Sequence, residues 1–189
     1  MRSIFLSASV PIQERGNYHK TADPLLIQSA VQALLKAAIL DWNIVWGGHP
    51  SITPMICRIC RDLNVDCSNS LVLYESKFFE NQFPDDGKCC KNVNLVEAVP
   101  GDRDASLLWM RRKMLSDKDL IAAVFIGGMD GVEIEHSLFK RFHPRGKVVL
   151  VPATGGAAIQ LAEWMGTFDK AGLQDIDFPS LFHKELSGF

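Results

Sequence analysis

The stretch "FIGGMDGVEIEH", Phe125 to His136, sets two glutamates two residues apart just after a glycine pair. In a helix, at about 100° per residue, Glu133 and Glu135 point to nearly opposite sides. Val132, Ile134, Leu138, Phe139 and Phe142 fall on one apolar arc, with Glu135 near its middle. Glu133 has a local explanation: with Asp130 as N-cap it takes the N3 position of a capping box. Glu135 has none. A carboxylate buried without a partner is costly, so Glu135 is expected to face a cation or a ligand crevice near the glycines.

The preceding helix poses the complementary problem. In "DASLLWMRRKML", Leu107, Leu108, Met110, Met114 and Leu115 form an apolar stripe. Arg111 lies close to its centre, while Arg112 and Lys113 turn outward. A guanidinium in that position needs an anion, either Glu135 or a ligand phosphate. A purely structural Arg–Glu pair fits the same pattern.

Three glycine pairs, Gly47-Gly48, Gly127-Gly128 and Gly155-Gly156, each follow an apolar strand and precede a helix. Glycine lets backbone amides approach a ligand, and a helix amino terminus favours an anion. With Met129, Asp130, Gly131 and Thr154, these pairs are the expected cradle for a phosphate-bearing ligand. Ordinary strand–helix turns also use glycine. Ser7 and Ser9 end the first strand and His49 adjoins Gly48, so all three are candidate ligand contacts as well as candidate turn and cap residues. Neither G-x-G-x-x-G nor G-x-x-x-x-G-K-[ST] occurs, which removes the main sequence support for a hydride-transfer enzyme or a P-loop nucleotidase.

These residues need elements to position them. Apolar runs at Ser3–Val10, Asn43–Pro50, Ser70–Ser76, within "NLVEAVP", in "LIAAVFIGG" and in "KVVLVPATGG" read as strands. Helical spacing marks a helix after Asp23-Pro24, then Ile52–Leu63, Asp104–Leu115, Val132–Phe142 and a run through Trp164. Lys77 to Asn92 reads as an irregular excursion, and the tail from Thr167 is weakly patterned. The alternation predicts a Rossmann-like α/β fold: an open, mainly parallel sheet with helices on both faces, in one domain over 1–189 with its core at about 4–164.

Composition narrows the partners. The chain has 189 residues, 47% hydrophobic and 22% charged, with a formal charge of −2. Its basic residues are dispersed, against a dedicated nucleic-acid binder. No apolar run reaches membrane-spanning length, and "MRSIFLSASVP" reads as a strand rather than a signal peptide. Five cysteines without a secretion signal suggest reduced thiols and a cytoplasmic protein. Cys57 and Cys60 form C-x-x-C, but the second ligand pair of a zinc site is missing, so they are expected to be small buried helix residues. No metal or cofactor is expected.

An arginine on a helix, an apolar strand, Gly-Gly, a helix-opening glycine and a glutamate four residues on resemble the SLOG superfamily, which includes the LOG phosphoribohydrolases and DprA. LOG proteins carry P-G-G-x-G-T-x-x-E. This chain has Ile126-Gly127-Gly128-Met129-Asp130-Gly131-Val132-Glu133-Ile134-Glu135. The loop has one extra residue, and Ile and Val replace Pro and Thr, while the Gly131–Glu135 spacing is kept. "FLSASVP", "GGHPSITP", "FIGGMDGVE" and "VPATGGAA" look closest to a SLOG branch found with bacterial conflict systems. The resemblance covers about Ile4 to Trp164. It implies a nucleotide-derived small molecule, such as a nucleoside phosphate or an ADP-ribose-like signal, bound by a sensor that acts on a signalling or effector partner. It also implies a homodimer. The alternative it implies is a LOG-like hydrolase that cleaves the base–ribose bond, with Glu135 and Arg111 as catalytic residues. The lost Thr hydroxyl and the enlarged loop favour binding over catalysis.

Overall fold

The computed structural model describes residues 2–64, 66–82, 90–166 and 168–187. Six strands form one sheet: β1 (Ser3–Ser9), β2 (Asn43–Trp46), β3 (Leu71–Ser76), β4 (Asn92–Val96), β5 (Leu120–Gly127) and β6 (Lys147–Val151). Their order is β4-β3-β2-β1-β5-β6, and every pairing is parallel. The chain winds outward from β1 to β4, then returns to lay β5 on the other side of β1. The carboxyl ends of β1 and β5 therefore flank the switch point where open parallel sheets bind ligands.

Strand alternation divides the core in two. Ile4 and Leu6 of β1 and Ile44 and Trp46 of β2 face α1 (Pro24–Ala38), α2 (Thr53–Asp62) and α6 (Phe178–Leu186). Phe5 and Val45, one residue out of step, face α3 (Arg103–Leu115), α4 (Asp130–Phe142) and α5 (Gly156–Met165). The same parity sends Ser7 to the α3–α4 side and Glu75, in step with Leu71 and Leu73, to the α1–α2 side.

Local chemistry starts the helices where expected. Asp23 caps α1 by accepting from the Leu25 and Leu26 N–H groups, with Pro24 in the first turn. Asp102 caps α3 through Ala105 N–H.

Several expectations need correction. The tail carries a real helix, α6, capped by Asp177. Phe178, Phe182 and Leu186 of α6 recur every four residues and are buried in the α1 side of the core. Within Lys77–Asn92, Lys77–Gln82 forms a short 3-10 segment and Asn92 begins β4; residues 83–89 lie outside the described residues. The buried face of α4 is Val132, His136, Leu138 and Phe139, whereas Ile134 and Phe142 are exposed. Leu108 is likewise exposed. Cys57 and Cys60 are buried on α2, but Cys57 is disulfide-bonded, contrary to the expectation of reduced thiols throughout.

Candidate functional site

A cleft of about 270 Å³ opens at the carboxyl ends of β1, β2 and β3, between the amino-terminal turn of α4 and the middle of α3. Of the residues predicted from sequence, Ser9, Gly47, Gly48, His49, Arg111, Met129, Asp130, Gly131 and Glu135 line it. Ser7 lies just beneath, buried at the end of β1.

Arg111 and Glu135 meet. The Arg111 Nε–H donates to Glu135 Oε1 at 2.9 Å, and the two side chains are only 16% and 14% exposed. The Ser7 hydroxyl donates to Glu135 Oε2 at 2.6 Å. Both carboxylate oxygens thus have a donor, which resolves the cost of placing a charge between two apolar helix faces. The arginine is less fully used. Its Nη1 and Nη2 groups donate to no described residue. Nη2 lies at the first turn of α4, whose opening N–H groups have no intrahelical acceptor. Gly131 is what allows this approach: a Cβ there would stand 2.6 Å from Arg111 Nη2.

The capping box expected of Asp130 and Glu133 does not form. Met129 occupies the N-cap position of α4 without a side-chain cap bond. Asp130 pairs instead with Arg15, and Glu133 accepts from the Tyr18 hydroxyl at 2.8 Å. Burial first, then the Glu133 hydrogen bond and charge, push the Tyr18 hydroxyl pKa up to about 12. The segment after β1 is therefore strapped across the start of α4, with Arg15 at the cleft.

The other glycines serve a different arrangement. Gly127 N–H donates to Thr154 Oγ1 at 2.8 Å, and the Thr154 hydroxyl donates to Val151 O at 2.6 Å. Gly128 N–H donates to Ser9 O, Gly155 N–H to Pro152 O and Ala157 N–H to Gly128 O. Gly156 N–H donates to Thr21 Oγ1 at 3.0 Å. Gly127, Gly128, Thr154, Gly155 and Gly156 thus form a knot beside the cleft, with these donors committed to the protein.

His49 is held in one tautomer. Its Nδ1 accepts from Ser51 N–H at 3.2 Å and lies 2.9 Å from the Ser51 hydroxyl, which accepts from Val10 N–H. The neutral ring therefore carries its proton on Nε2. Burial, then the charges of Arg15 and Arg111, depress its pKa from 6.5 to about 4. Between those values the unfolded chain binds a proton that the folded protein refuses, so stability falls as pH drops from 6.5 to 4 and levels off below. His136, held down by burial and by Lys140, adds to the same slope. Urea titrations across this window should show His49→Gln losing on the order of 2 kcal/mol less than the wild type; parallel curves would refute the assignment.

Several further residues line the cleft. Glu75, the penultimate residue of β3, lines the cleft and is 8% exposed. A carboxylate in step with Leu71 and Leu73 at the carboxyl end of a strand was the available clue. Phe79 and Arg103 also line it, the guanidinium 6.0 Å from the ring centre. Among the described residues, no three His, Cys, Asp or Glu side chains group as a metal would require. Nor is any helix there long and apolar enough to cross a membrane.

The family model described as "LD_cluster3: SLOG cluster3 family" matches residues 17–186. Among solved structures, the chain is similar to the X-ray structure of TM1055, a Northeast Structural Genomics Consortium target. The TM-score is 0.56 at 11% sequence identity, over 86% of this chain and 81% of that one, a likeness of fold alone. No curated protein matches significantly.

Proposed function

From the premise that the chain belongs to the SLOG cluster3 family, we propose that its cleft binds a nucleotide-derived ligand by the phosphate and that the protein acts as a sensor. One observation carries this reading. Arg111 is mostly buried and held to Glu135 through Nε alone, which leaves its Nη donors unfilled, with Nη2 at the positive end of α4. A buried guanidinium with unfilled donors beside a helix amino terminus suits a phosphate. Arg15 adds a second cation, and His49 offers an Nε2–H donor. The apolar walls at Trp46, Leu107 and Met110 suit a base or sugar face. The resemblance to conflict-associated SLOG proteins favours an ADP-ribose-like or other nucleotide signal, passed on to an effector.

Gly131→Ala tests it. The new methyl group would displace only the end of a flexible side chain, so the melting temperature should stay within a few degrees of wild type. Affinity for AMP or ADP-ribose, read by calorimetry, should fall at least about tenfold as the guanidinium is pushed aside. Unchanged affinity would sink the proposal.

Cleavage of the N-glycosidic bond is the second reading, because Glu135 lines the cleft, where a carboxylate could stabilise a cationic sugar. Its two oxygens already accept from Arg111 and Ser7, which leaves neither free to position a water and favours binding. Incubation with AMP, ADP-ribose and cyclic ADP-ribose separates the readings: release of free base, lost in Glu135→Ala, identifies an enzyme.

A further inference from the structure

Glu75 is the one acidic residue among the buried polar residues described. No hydrogen bond or ion pair holds its carboxylate among the described residues. It packs on the backbone of Gly48, where an added Cβ would lie 3.1 Å from its Cγ and 3.3 Å from its Oε1. Burial holds its pKa above the usual carboxylate value. The folded protein gains nothing visible from it: a neutral residue of the same shape would avoid the desolvation cost. Its carboxylate borders the cleft, at the end away from α4.

The sheet sets the distance between the two ends. Glu75 is the penultimate residue of β3, and α4 follows β5; β2 and β1 lie between them. Three strand spacings separate these positions, roughly 14 Å, within reach of an extended nucleoside monophosphate. An anion at α4 would carry the uncharged part of the ligand towards β3. There the carboxylate requires hydrogen-bond donors and repels a second phosphate.

We propose that Glu75 determines specificity in this cleft by accepting hydrogen bonds from two adjacent uncharged donors at the end of the ligand opposite its phosphate. This rests on the reading of the cleft as a nucleotide site. The N1–H and N2–H edge of guanine presents that chemistry at that distance, whereas the 2′,3′-diol of ribose lies next to the phosphate.

The intact protein and its Glu75→Gln variant would be titrated with GMP, IMP, AMP and 2′,3′-dideoxy-GMP, and their melting temperatures compared without ligand. The glutamine is isosteric and removes a charge that no described residue pairs with, so the variant should melt no lower than wild type. Its affinity for the preferred nucleotide should fall at least about tenfold. If the base edge is read, wild type prefers GMP over IMP and AMP, and the preference vanishes in the variant. If instead GMP, IMP and AMP lose affinity alike and wild type discriminates against the dideoxy nucleotide, the ribose and not the far end of the ligand meets Glu75, and the proposal is overturned. A variant that melts lower assigns Glu75 a structural role and overturns the proposal. Equal affinities of wild type and variant overturn it while leaving the nucleotide site standing. A wild type that binds none of the four overturns both.

Discussion

Gly155→Ala is expected to leave the protein unfolded or barely folded, with a loss of at least about 4 kcal/mol. Gly155 has φ +70° and ψ −154°, a region essentially closed to residues with a Cβ. A methyl group there would stand 2.0 Å from Thr21 O, 2.4 Å from Thr21 C and 2.7 Å from Ala22 Cα. All three are backbone atoms, so no rotamer change relieves the contact. They lie just ahead of the Asp23 cap of α1, whose backbone N–H donates to Thr154 O. Moving them separates the β6–α5 loop from α1 and strains the knot that joins Gly128 to Ala157. For a chain of this size the melting temperature should fall by roughly 10 °C or more. Gly166 supplies the control, since its φ is +61° but nothing lies within 4 Å of an added Cβ. Gly166→Ala should cost only about 1–2 kcal/mol. Equal costs at the two positions would show that the contact with Thr21 adds nothing to the effect.

The comparison also shows what sequence alone could say about these glycines. A strand, Gly-Gly and a helix appear three times, and the pattern is identical whether the glycine N–H groups face a ligand or the protein. Only the tertiary pairing of the β5–α4 and β6–α5 loops, with Thr21 laid against them, distinguishes the uses. Periodicity does better with charges. Arg111 and Glu135 stood out because each interrupts an apolar helix face, and burial makes such an interruption intolerable without a partner. Ser7 followed strand parity, but its partner lies 128 residues away. The contacts of Arg15 with Asp130 and Tyr18 with Glu133 each span 115 residues and leave no local periodic trace. For that reason a local capping box was the natural reading of Asp130 and Glu133. The parallel sheet was legible because strands covered on both faces are nearly continuous apolar runs. α6 is weakly marked in the sequence although Phe178, Phe182 and Leu186 repeat every four residues, because nine residues offer little more than two turns of pattern.

Arg111→Ala should be the most damaging single change within the cleft, and for two separable reasons. It strands Glu135, 14% exposed and left with only the Ser7 hydroxyl, which should cost about 3 kcal/mol of stability. It also removes the Nη donors assigned to the phosphate. Glu135→Ala strands the arginine, but an arginine without its tether can still turn toward an anion. The stability losses should be far from additive: Arg111→Ala with Glu135→Ala removes both charges, and the double variant should recover at least about 1.5 kcal/mol relative to the sum of the singles. Binding of AMP or ADP-ribose should behave differently. Arg111→Ala alone should abolish it, Glu135→Ala should weaken it by loss of orientation, and the double variant should regain stability without regaining affinity. Denaturant titration and calorimetry on the same four proteins separate the outcomes. Recovery of affinity together with stability would mean that Arg111 merely neutralises Glu135, and the case for a phosphate at the start of α4 would then fall, whatever the family of the chain.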